Sequence, residues 1–115
     1  MFMISIILII IKTAKHMKKG MQPSHPGAIL REDILKEMNI SITKAAEAMQ
    51  VSRKTLSEIV NENAGITAEM AVRLEKGFGV EAQFWLTMQS NYDLWKVQHS
   101  GKVARINRIA PNRAV

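Results

Sequence analysis

Across residues 41–61 the apolar positions follow a helical period twice, with only a short break between the two runs. Ile42, Ala45, Ala46 and Met49 recur at i, i+3, i+4 and i+7, the stripe of an amphipathic helix. Ser41 stands ahead of them as an N-cap, able to satisfy an early backbone N–H. Gln50 and Val51 interrupt the pattern, Ser52 offers a second cap, and Leu56, Ile59 and Val60 resume the period. Small Ala46 suits a point where two helices cross closely, Val51 can plug the turn, and Leu56 and Ile59 face the core. The pattern predicts a helix-turn-helix.

The flanking segments predict three more helices. Pro26 fits the first turn of a helix with Ser24 or His25 ahead of it, and Ile29, Leu30, Ile34 and Met38 give that helix its apolar face. Thr67 caps a helix whose Met70, Ala71, Leu74 and Phe78 point inward, and Gly79 suits the left-handed residue that ends it. A last long helix covers about 81–98. Its Phe84, Trp85, Met88, Tyr92 and Trp95 form a broad apolar stripe, and five of the chain's six aromatics lie between Phe78 and Trp95. The stripe reads as core closure plus a homodimer interface, with the monomer's own core as the rival account. The fold class expected is all-α.

The outward face of the second short helix carries Arg53, Lys54, Ser57 and Asn61. Arg and Lys bond guanine O6/N7 or phosphate, Ser and Asn bond base edges or backbone, and a helix N-terminus attracts phosphate. Glu58 can accept from a cytosine amino group. Arg53, Lys54 and Ser57 are the base-reading candidates; Thr43, Lys44, Ser52 and Thr55 are better placed for phosphates or caps. Ser52 is a helix cap whatever else it touches, and Thr43 or Lys44 could simply solvate a helix face. Double-stranded operator DNA is the expected partner.

Four ordered segments within residues 21–98 resemble the HigA-type antitoxins of the lambda-repressor/Cro-like helix-turn-helix class. They are HPGAILRED at 25–33, VSRKTLSEIVN at 51–61, GITAEMAVRLEKGFG at 65–79 and FWLTMQSNYDLW at 84–95. The resemblance implies a five-helix, dimeric DNA-binding protein that represses its own operon and binds a RelE-like mRNA-cleaving toxin. The alternative within the class is a stand-alone Cro-like repressor without a toxin partner. Two positions depart from the pattern. Gln50 stands where such proteins usually carry Gly, and a non-Gly residue at positive φ costs on the order of 1 kcal/mol. Asn63 stands where a basic residue often follows the recognition helix, which implies weaker or less salt-dependent binding.

Charge adds less than its sum suggests. The 115 residues carry a formal net charge of +6, with a pI near 9.9. Lys12, Lys15, Lys18 and Lys19 precede Gly20, and Lys96, Lys102, Arg105, Arg108 and Arg113 follow Trp95. Residues 20–95 between them hold seven Lys and Arg against ten Asp and Glu, a net charge of −3. Solvated tails and direct phosphate binding account equally well for the basic ends. Glu32, Asp33 and Glu37 form an acidic patch on the first helix, either a solvated face or a surface for a basic toxin.

The domain plan is an apolar and basic extension at 1–20, a helix-turn-helix domain at 21–98 and a basic tail at 99–115. The run 4–11 is almost wholly aliphatic, yet at about 1.5 Å per helical residue it falls well short of a bilayer core of roughly 30 Å. Its lysines follow the run instead of preceding it, unlike a secretory signal. Met17 and Met21 both precede the recognisable domain, so the working protein is expected to begin at one of them, with a folded strand or helix, or a membrane role, as the other accounts of residues 1–20. The absence of cysteine fits a cytoplasmic protein and excludes thiolate metal sites. His16, His25 and His99 have no metal-ligand spacing and no adjacent nucleophile, so neither a cofactor nor an enzyme is expected. RNA reading by base stacking is disfavoured, because no aromatic lies between Phe2 and Phe78.

Overall fold

The computed structural model describes residues 22–111. The aliphatic run, the amino-terminal lysines and Arg113 lie outside the described residues. The described residues form five helices and no strand. Helix α1 begins at Pro26–Ile29 and continues as a π-helical segment, Leu30–Leu35. The others are α2 (Ile42–Met49), α3 (Arg53–Val60), α4 (Ala68–Phe78) and α5 (Ala82–Gln98). None is long and apolar enough to cross a membrane.

The helix starts follow the predicted chemistry. Ser41 Oγ accepts from Lys44 N at 3.1 Å, Ser52 Oγ from Thr55 N at 3.0 Å and Thr67 Oγ1 from Met70 N at 3.2 Å. His25, not Ser24, caps α1, its Nδ1 accepting from Gly27 N at 2.9 Å. Gly79 closes α4 at φ 80°, in the left-handed region.

Helix α1 differs from the expected single amphipathic helix running on to Met38. Leu30, Ile34 and Leu35 are all buried, and a turn widened by one residue lets both Leu30 and Leu35, five apart, face the core. The chain then turns through Asn39, at φ 54°, into α2.

The core is assembled from every helix: Leu30 and Ile34 of α1, Ala46 and Met49 of α2, Leu56 and Ile59 of α3, Ala71 and Leu74 of α4, and Trp85 of α5. Helix α1 packs against α3 through Gly27. A Cβ there would come within 1.8 Å of the Ile59 carbonyl oxygen, so backbone meets backbone and no side chain fits. Helix α5 packs mainly on α4 and also reaches α1. Its buried Gln89 accepts from Ile66 N at 2.8 Å and donates to Asp93 Oδ1 at 2.9 Å, tying the α3–α4 connection to α5.

This arrangement divides the expected stripe between buried and partly exposed residues. Trp85 is 0% exposed and Met88 4% exposed. Both belong to the protomer's own core, on the side of α5 that packs against α4 and α1. Phe84, Tyr92 and Trp95 remain partly exposed.

Candidate nucleic-acid interface

Helices α2 and α3 meet at a turn whose geometry rests on Gln50, at φ 58° and ψ 42°. The residue that departs from glycine therefore adopts the conformation glycine favours. Its side chain is exposed and Val51 behind it packs partly buried against the core, as the turn requires. Both short helices bury one face, Ala45, Ala46 and Met49 in α2 and Leu56, Ile59 and Val60 in α3, and leave the other open.

The open face gathers the residues singled out from the sequence. Thr43, Lys44, Ser52, Arg53, Lys54, Thr55, Glu58 and Asn61 are exposed, and Ser57 is half-buried. Arg53 Nε donates to Thr43 Oγ1 at 3.1 Å, so α2 holds the first residue of α3 in place. The Arg53 Nη groups have no hydrogen-bond partner among the described residues. Ser52 Oγ, besides capping α3, donates to Thr55 Oγ1 at 2.8 Å. Asn61 ends α3, and its Nδ2 donates to Ser57 Oγ at 3.2 Å. Thr43 and Ser52 thus serve the motif internally, while Lys44 and Lys54 form no ion pair among the described residues.

Three residues that hold this face were not singled out beforehand. Arg73 of α4 donates through Nη1 to Met49 O at 2.8 Å and to Gln50 O at 3.4 Å, gripping the turn from below. Its Nε lies 3.6 Å from Glu69 Oε2. Arg31 of α1 donates to Val60 O, the last carbonyl of α3, and pairs with Glu62 at 3.5 Å. Gln89 secures the loop that follows. The signal was indirect: the last carbonyls of any helix lack intrahelical donors, and those of Met49, Gln50 and Val60 take theirs from other elements. Which cation would supply them depends on tertiary contacts.

The other expectations fall as follows. Glu32 of the acidic patch is engaged by Arg31 and Lys36, and the hydrogen bond from Lys36 is the main cause holding its carboxyl below the usual range. His25 is buried at the start of α1 with Tyr92 edge-on at 4.8 Å, and desolvation pushes its pKa below the ordinary 6.5. His99 stacks on Trp95 at 4.1 Å at the end of α5.

A buried inner face, a turn at positive φ and an exposed polar outer face on the second helix define a DNA-binding helix-turn-helix protein. The helix-turn-helix family model matches residues 32–85. Virulence-associated protein I of Dichelobacter nodosus is 48% identical over 94 residues, 82% of this chain and 85% of that protein. Antitoxin HigA-1 of Vibrio cholerae is 34% identical over 82 residues, 71% of this chain and 77% of that one. The solved structure of Pseudomonas aeruginosa antitoxin HigA with higBA promoter superposes with a TM-score of 0.70 at 40% identity, covering 76% of this chain and 99% of that one. The chain belongs to the HigA-type antitoxins of the helix-turn-helix family.

Proposed function

We propose that the protein binds its own operator as a homodimer, represses the operon that encodes it, and neutralises a RelE-like mRNA-cleaving toxin. The observation that carries the DNA half is the free polar side of α3. Arg53 and Lys54 stand exposed at its N-terminal end, Ser57 follows one turn on, and the opposite side is locked into the core. Arg53, Lys54 and Ser57 read base edges, with Glu58 and Asn61 beside them. Lys44, Thr55 and the α3 N-terminus meet phosphate, and Thr43 and Ser52 brace them. A two-fold pair sets two such helices about 34 Å apart, one turn of B-DNA, and so reads a palindromic site.

Dimerisation rests on α5. With Trp85 and Met88 committed to the core, the surface left for a second copy comprises Phe84, Tyr92 and Trp95 together with Leu86, Leu94 and Val97. Leu94 is 56% exposed and Val97 47% exposed. A helix with apolar residues on more than one side has more than one surface to cover. Support for the toxin half is the relationship to HigA antitoxins alone.

The test is titration onto the protein's own promoter. The double change Arg53→Ala and Lys54→Ala should lower operator affinity on the order of 100-fold, given about 1–3 kcal/mol for each good base contact. Unchanged affinity and unchanged discrimination against scrambled DNA would refute the assignment. For the toxin, co-expression with the adjacent reading frame should yield a stable complex with a small basic protein; the absence of any such neighbour favours the stand-alone repressor.

A further inference from the structure

We infer that the basic tail after α5 is a sequence-independent DNA arm, which lays Lys102, Arg105 and Arg108 along the phosphate backbone beside the groove entered by α3. The inference rests on the duplex-DNA reading and extends it to a second binding element.

Four observations lead there. First, the helix-turn-helix face is short of charge. It offers Lys44, Arg53 and Lys54, interleaved with Glu47 and Glu58, on a body that is net acidic, and Asn63 adds no charge after the recognition helix. Second, the tail cations are exposed and unpaired. Lys102, Arg105 and Arg108 form no ion pair among the described residues, a property they share with Lys44, Arg53 and Lys54 of the helix-turn-helix face and not with Arg31, Lys36 and Arg73. Third, the tail leaves the body at a suitable place. Glu62 and Asn63, just past α3, line one groove together with Tyr92, Asp93 and Lys96 of α5, so the chain enters the tail close to the end of the recognition helix. Fourth, spacing and reach fit. The cations recur every third residue, about 10 Å apart when extended, close to the rise of three phosphates at roughly 3.4 Å per strand. Residues 99–111 extended span on the order of 40 Å. Ser100 anchors the start of the tail, its Oγ donating to Val97 O at 2.8 Å and accepting from Lys102 N at 3.2 Å, and beyond it the local structure is slight, two turns closed by Ala104 N to Gly101 O at 3.3 Å and Ile106 N to Val103 O at 3.2 Å. No apolar packing opposes its release, since Ile106 is 75% exposed and Ile109 fully exposed.

The experiment measures affinity against salt concentration for the full chain on operator and on scrambled duplex. It compares the wild type with the triple change Lys102→Gln, Arg105→Gln, Arg108→Gln and with the conservative pair Arg105→Lys, Arg108→Lys. Each phosphate contact contributes about 0.9 to the slope of log K against log salt. The glutamine variant should lose two to five units of slope on both duplexes, keep the operator-to-scrambled ratio and keep the wild-type melting temperature. The lysine variant should retain the wild-type slope. Wild-type binding with an unchanged slope in the glutamine variant overturns the arm while leaving the α3 reading intact, and would fit a tail that engages an acidic protein. A lysine variant that loses slope also overturns it, because a backbone contact needs charge and not a guanidinium. A wild type that binds neither duplex overturns both readings. The Arg53→Ala, Lys54→Ala protein separates the two elements, since it should lose the operator-to-scrambled ratio that the tail variant keeps.

Discussion

In α2 and α3 the residues that start, stop and orient each helix lie within it or next to it, whereas in α5 the fate of each apolar side chain is decided by other elements. Ser41, Ser52 and Gln50 set the helix-turn-helix by local hydrogen bonds and one left-handed residue. Trp85 and Trp95 look alike in sequence, both aromatic and both on the same predicted stripe, yet Trp85 is fully buried and Trp95 only partly so. Capping and turn chemistry act over a few residues. Burial along a helix with apolar residues on several sides depends on which neighbours arrive.

The sharpest way to break this comparison is to delete the two tryptophans. Trp85→Ala should destabilise the protomer by about 3–5 kcal/mol, the usual cost of emptying an aromatic site in a core. Trp95→Ala should cost clearly less in chemical denaturation and should act more on self-association in sedimentation. Equal losses of stability would mean that α5 carries a single uniform core face.

Next in size is Gly27→Ala. The added methyl meets the Ile59 carbonyl, so α1 must back away from the recognition helix, and urea melts should show a loss of about 1–3 kcal/mol, typical of overpacking.

Gln50→Gly works in the other direction. It relieves the left-handed strain and removes no side-chain hydrogen bond, so stability should rise by about 1 kcal/mol, read as a melting temperature several degrees higher. A loss of stability would show that the Gln50 side chain contributes more than its conformation costs.

The smallest effect concerns His25, whose folded pKa lies below the unfolded value of 6.5 because burial disfavours the imidazolium, with Glu62 and Asp93 opposing and Lys96 reinforcing the shift. The unfolded chain takes up the proton first. Stability should therefore be complete above pH 6.5 and fall as pH drops below it through the folded pKa, with the Nδ1 cap on Gly27 lost on protonation. His25→Ser, which keeps a cap but cannot titrate in this range, should flatten that part of the profile.

These contrasts explain what the sequence could disclose. The five helices, the side-chain caps of α2, α3 and α4 and the exposed polar set on α3 follow from periods and cap residues, signals confined to about one helical turn. The π-helical continuation of α1 was partly visible in the apolar pair Leu30 and Leu35, five residues apart, but a 3.6-residue template passes over it. Arg31, Arg73 and Gln89 gave no such signal. Their partners lie 23 to 29 residues away, and a polar side chain on a helix reads the same whether it meets a distant carbonyl or water.

Asn39, Gln50 and Glu62 share a property that bears on how the protein meets a duplex. Each carries a side chain at positive φ, and they sit before α2, between α2 and α3, and after α3. A side chain makes that region costly, so these joints keep their conformation because the packing and hydrogen bonds around them hold it. Arg73 and Arg31 grip the carbonyls at two of the joints, so the pair forms a wedge whose angle is held by the body of the protein. Such a wedge surrenders little motional freedom on docking, and its association rate should be governed by diffusion and charge, with no slow rearrangement step.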